Sequence, residues 1–248
     1  MIDSFNRLAP STKFFWLLLI GNTVFVRCYF SGVSALQQLV APTIHKANFS
    51  FTQMREFGAL EMTQNILLLG IIYILACGVK QSATLPLKTF FGLGVAAFIF
   101  LFLEELDYGL HFYKYFSGDL ASTPYFSWHN QLDDSGDENA TKLKRLNDAI
   151  NVLWFVVASL LFKWLNNEKN TAPFFYKIIP SVWFPVGFFL AFIYSKGAHQ
   201  LDDMGLGMIN GVNGNLNQTI AEFRETSIYY LYFLYAIELY TVGKTLNQ

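Results

Sequence analysis

The run Glu104-Glu105-Leu106-Asp107-Tyr108-Gly109-Leu110-His111 sets three acidic side chains and a histidine within eight residues at the end of a long apolar stretch. Charged groups in or beside hydrocarbon are costly, and where they persist they mark binding, proton handling or catalysis. A low-dielectric setting raises a carboxyl pKa towards neutrality, which suits it to general acid–base chemistry. Continued as one helix, the run puts Glu104, Tyr108 and His111 on a shared face at i, i+4, i+7, with Asp107 and His111 one turn apart. Neighbouring helical side chains diverge, so Glu104 and Glu105 are expected to serve different partners. The bland alternative is an interfacial collar of acids reaching for water.

Other apolar stretches carry matching groups. Glu61 and Asn65 form an i, i+4 pair near the start of one, and a buried Arg such as Arg27 is an alternative, purely structural partner for Glu61. Glu222, Arg224 and Glu225 open the last stretch, where a helix dipole favours acids; Glu238, deeper in it, has no assigned role. The candidate catalytic groups are therefore Glu61, Glu104, Glu105, Asp107 and His111. The candidate substrate-binding groups are Asn65, Tyr108, His129, Asn130, Glu222 and Glu225.

Cofactor chemistry is left open. A divalent metal would need two or three of His45, His111, His129 and His199 with a carboxylate, and tight spacings such as His-x-x-x-His are absent from the chain. His199 with Asp202 and Asp203 reads equally as a ligand group or a solvated helix end. The glycines at 205–214 lack the strand that a dinucleotide-binding turn requires, and no phosphate-binding loop or nucleophile elbow is present. The acids and asparagines there do not have the spacing of an EF-hand.

The elements that must position these groups follow from composition. Hydrophobic residues make up 53% of the 248 and charged residues 14%, against about 25% charged in soluble domains. The net charge of −1 gives no basic surface for nucleic acid. The reading is an all-α integral membrane bundle, one domain over 1–248, with six spans at about 14–31, 58–79, 87–111, 146–165, 175–194 and 221–242. Pro180 and Pro185 fall inside the fifth, as membrane helices tolerate.

Loops of 31–57, 116–144 and 196–219 are long and lie on one side; 79–86 and 166–173 are short and lie on the other. Alternating spans gather the acids and histidines at the long-loop end. Lys and Arg near the short loops place both termini in the cytoplasm. Arg7 and Lys13 precede an uncleaved first helix rather than a signal peptide. Cys28 and Cys77 fall near opposite faces and are not expected to pair. Sequons at Asn48, Asn139 and Asn217 carry no weight in an Asn-rich chain.

Two of these motifs resemble those of an uncharacterised group of bacterial polytopic membrane proteins: Arg55-Glu56-Phe57-Gly58-Ala59-Leu60-Glu61, and Glu104-Glu105-Leu106-Asp107-Tyr108-Gly109, similar to a Glu-Glu-x-x-aromatic-Gly signature ending the third helix. His129-Asn130 and the helix of Glu222 and Glu225 are similar too. This chain has Leu110 where the group carries Gln. The resemblance implies a protein of the bacterial inner membrane and brings no activity with it.

Three functions fit. An intramembrane hydrolase would act on a lipid or other amphiphile. An accessory subunit would dock a membrane-protein partner. A proton- or cation-coupled transporter fits least, because the polar groups gather at one end and only Asn22 and Glu238 suggest a path inward.

Overall fold

A computed structural model describes residues 13, 16, 17, 20, 21, 24, 35, 58–117, 146, 148–164, 178–203 and 216–245. They are helical, with no strand among the described residues. The elements are α1 (Ala59–Gln81), α2 (Leu85–Glu105), a 3-10 turn (Asp107–Gly109), α3 (Leu110–Ser117), a π-helical stretch (Val152–Ala158) running into α4 (Ser159–Trp164), α5 (Phe184–Asp203) and α6 (Leu216–Thr245).

α1 stops where Ser82 takes an extended conformation and turns both its N–H (3.0 Å) and its hydroxyl (2.7 Å) onto the Gly78 carbonyl. Four residues later Pro86, at the start of α2, needs no N–H partner. The short link makes α1 and α2 an antiparallel hairpin. Its seam is tight: a Cβ on Gly78 would lie 2.6 Å from the Phe91 ring, and one on Gly94 would lie 3.1 Å from Leu75.

α1 and α2 are each long and apolar enough to cross a membrane, with a mean hydropathy of 1.9 over their most apolar windows. Only 33% and 11% of those windows are buried. The core helix of a water-soluble protein would be largely covered. Here Leu69, Tyr73, Leu85, Leu93 and Phe100 stand on the surface.

α6 is the central helix, packed against α1 on one side and α5 on the other. It runs parallel to α1: Gln64 Nε2 donates to Thr226 Oγ1 (3.1 Å) at one end, and Gln81 Nε2 donates to the Tyr240 hydroxyl (2.7 Å) at the other. Between them Gly70 admits the Phe233 ring, which a Cβ would meet at 2.9 Å. α5 runs the opposite way, starting beside Glu238 and Tyr235. One apolar core joins α1, α2 and α6 through Leu68, Ile71, Phe91 and Leu239; a second joins α5, α6 and the π stretch through Phe155, Phe184, Leu231 and Leu234. Trp16 belongs to the second, its ring 5.5 Å from that of Phe184.

Several boundaries differ from the sequence reading. The third stretch does not continue as one helix to His111; it breaks after Glu105. α5 begins at Phe184, so Pro185 lies in its first turn and Pro180 precedes it, where neither costs a helical hydrogen bond. α5 also extends to Asp203 and takes in backbone assigned to a loop. α6 starts at Leu216, so Glu222 and Glu225 sit a turn or more inside it.

Candidate acidic site at the end of α2

The helix break builds the site. Leu106 closes α2, its N–H reaching the Phe102 carbonyl (3.2 Å). Asp107, Tyr108 and Gly109 then have φ of 48°, 55° and 87°. Left-handed backbone suits Gly109 and is tolerated by Asp, but it costs a bulky residue about 1–2 kcal/mol. Strain of this kind persists where the surroundings enforce it, and it concentrates at functional sites.

The turn folds the Tyr108 hydroxyl back onto Glu104 Oε1 at 2.5 Å. The shared-face expectation for Glu104, Tyr108 and His111 therefore fails as helix geometry, although Tyr108 still reaches Glu104. Asp107 is fully enclosed and Glu104 is buried. The Tyr108 phenol is held above its ordinary value, first by the hydrogen bond it gives Glu104, then by partial desolvation and the Glu104 and Asp107 charges. It remains a protonated donor at neutral pH.

Glu105 looks elsewhere, as adjacent helical side chains must. Its Oε1 accepts from the Tyr229 hydroxyl of α6. Glu105 and Glu225 both exert charge on that phenol. Glu225 also faces Arg224 at 4.0 Å, with both side chains partly exposed, a pairing worth little in water. α1 joins the same end through Gln64 and Thr226. One turn earlier on α1 lies buried Glu61, and beside Gln64 lies Asn65, whose Oδ1 is buried with no hydrogen-bond partner among the described residues.

The described residues thus collect Glu104, Asp107 and Tyr108 in one group and Glu105, Tyr229 and Glu225 in another, with Glu61 and Asn65 at the same end of the bundle. No three His, Cys, Asp or Glu side chains among the described residues group to hold a metal ion. The side chains of His111, His199, Asp202, Asp203 and Glu222 lie outside the described part, as do His45, His129, Asn130 and Arg27 entirely.

Sequence reasoning missed a polar row on α6. Below Tyr229, the Tyr232 hydroxyl donates to Asn151 Oδ1 (2.7 Å). Tyr235 accepts from Trp154 Nε1 (3.2 Å) and donates to the Ile178 carbonyl. Glu238 accepts from the Ser181 amide (3.2 Å) and hydroxyl (2.7 Å), while Ser159 donates to the Ser181 carbonyl (2.6 Å). Glu238 is accordingly tied to the turn before α5, and buried polar groups do continue past the acidic end. The three-residue spacing of Tyr229, Tyr232, Tyr235 and Glu238 was the available signal.

Comparison of the chain with protein-family models, with curated proteins and with solved structures finds no match.

Proposed function

We propose that this is a six-span integral membrane protein, of the bacterial inner membrane with cytoplasmic termini, whose acidic end is an acid–base site for hydrolysing a lipid or other amphiphile. The membrane reading rests on two helices long and apolar enough to cross a bilayer, with only 33% and 11% of their most apolar windows buried. The catalytic reading rests on one observation: adjacent carboxylates Glu104 and Glu105 are each oriented by a phenol, from opposite elements, beside a strained turn.

In this reading a carboxylate takes a proton from water as the water oxygen attacks a carbonyl or phosphoryl centre. A protonated neighbour then gives a proton to the leaving oxygen or nitrogen. Glu104 and Glu105 are the acid–base pair, with Asp107 and Glu61 setting the local charge. Asn65 and Tyr108 would hold the polar head, and His111, His129, Asn130, Glu222 and Glu225 remain candidates for completing the pocket.

The test is headgroup release from ester, amide and phosphodiester amphiphiles by protein purified in detergent. Glu104→Gln and Glu105→Gln should each lower the rate by about 10²-fold or more, the usual scale of acid–base assistance. Absence of turnover on all three classes, or turnover indifferent to both variants, would overturn the assignment. A chelator arm settles whether a divalent metal takes part.

A further inference from the structure

We infer that α3 lies in the plane of the bilayer surface, its aromatic side sunk among lipid headgroups and upper acyl chains, and so seats the acidic turn at that depth. The inference rests on the membrane-embedded reading above, but not on hydrolysis.

α3 is more strongly amphipathic than α1, α2, α5 or α6. Helical register puts Phe112, Tyr113 and Phe116 on one side and positions His111 and Lys114 on the other. The aromatic side is turned outward: Tyr113 is 65% exposed and Phe116 78%. A surface helix of a soluble domain ordinarily turns its apolar stripe inward. Among the described elements, α3 packs closely only against the turn before it. It does not prolong α2 as one rod, because three successive residues of positive φ, Asp107 to Gly109, part the two helices.

What covers the aromatic side follows from where α2 ends. Its 21 residues rise about 31 Å at 1.5 Å each, and the hydrocarbon core of a bilayer is about 30 Å thick. An α2 that crosses the bilayer therefore delivers α3 to its surface, not to its interior or to bulk water. The residue types agree: aromatic rings on one side with Lys on the other are the composition of helices that lie in this interface. Leu103, Tyr108 and Phe112, all exposed, carry the apolar surface from α2 across the turn to α3. A protein partner fits less well. Three aromatic side chains bury about 150–250 Å² each, short of the roughly 800 Å² per partner of a specific interface. Tethered to α2, α3 needs no separate affinity for lipid. Its depth also sets that of Glu104, which the Tyr108 hydroxyl holds from within the turn.

The experiment is electron paramagnetic resonance on the full chain in phosphatidylcholine–phosphatidylglycerol vesicles. Single nitroxide labels are placed in a background lacking Cys28 and Cys77. Collisions with oxygen, which concentrates in hydrocarbon, are compared with collisions with a water-soluble nickel chelate to read depth. Labels at Phe112→Cys and Phe116→Cys should lie about 5–10 Å into the headgroup–acyl boundary. A label at Lys114→Cys should favour the chelate, and one at Leu93→Cys, midway along α2, should lie deeper than the other three. Chelate-favoured collisions at 112 and 116 would leave the face in water and overturn the inference. Shielding from both reagents there would put protein over it and overturn it equally, as would a depth matching that at 93 or no contrast with 114. Tyr113→Cys replaces either aromatic-side variant that fails to elute as folded protein. Chelate-favoured collisions at 93 would overturn the membrane reading and this inference with it. Headgroup release is measured separately in detergent, so failure of the hydrolase reading is a distinct result.

Discussion

The bond between Tyr108 and Glu104 makes the most local prediction. A phenol whose folded pKa is raised stabilises the fold below the ordinary phenol range, near pH 10, and loses that contribution as pH rises through its higher folded value. Tyr108 donates to a carboxylate and is about half exposed, at 49%, so the stability at stake is small. The titration is the better readout. The difference in ultraviolet phenolate absorbance between wild type and Tyr108→Phe should report a phenol ionising above the ordinary range, and Glu104→Gln should bring it down. An unchanged midpoint in Glu104→Gln would mean that the carboxylate does not act on this phenol. Tyr229→Phe should be the more damaging phenol deletion, because its hydroxyl is buried against Glu105; loss of a hydrogen bond to a charged group costs about 1.5–3 kcal/mol, measurable as a lower midpoint in thermal unfolding. The divergence of Glu104 from Glu105 was legible from their adjacency alone. The role of Tyr229 was not, because a neutral phenol in an aromatic-rich chain looks like packing until a partner helix brings a carboxylate to it.

At the scale of elements, apolar length was a good guide and helix ends were poor ones. The stretch at 58–79 lies within two residues of α1, because Gly58 and the Ser82 turn punctuate it. The end of α2 was misplaced because hydrophobicity and i, i+4 spacing continue through Asp107 to His111, whereas the chain takes a left-handed turn that only Gly109 hinted at. Gly109→Ala tests that turn. At φ of 87° a Cβ is strained although open space surrounds it, so the variant should lose about 1–2 kcal/mol and loosen the Tyr108–Glu104 bond. Gly78→Ala tests the hairpin seam. Its methyl would meet the Phe91 ring, and overpacking costs about 1–3 kcal/mol, which outweighs a gain of up to about 1 kcal/mol in helix propensity. A thermal midpoint at or above wild type would show that Phe91 swings clear.

For the whole molecule, the sequence pattern anticipated that α1, α2 and α6 present their acids at one end, and the paired contacts Gln64–Thr226 and Glu105–Tyr229 agree with it. Which side of a bilayer that end faces is a separate matter of charge balance. It is testable by labelling single cysteines in a background lacking Cys28 and Cys77: Ala83→Cys, in the α1–α2 link, and Phe116→Cys, beyond the acidic turn, should react from opposite sides. Reaction from one side only would dismantle the six-span arrangement.

α2 is held by α1 along its length and also meets α6 through Phe98–Tyr232, Glu105–Tyr229 and the Phe91 ring beside Gly243. Leu85, Leu93, Ile99, Phe100 and Leu103 stand exposed along it. In the lipid-hydrolase reading proposed above, a tailed molecule dissolved in the hydrocarbon would slide along this outlying helix and bring its head to Glu104 sideways, without first leaving the bilayer. Substrates too insoluble to cross water would then be the natural clients of such an entrance.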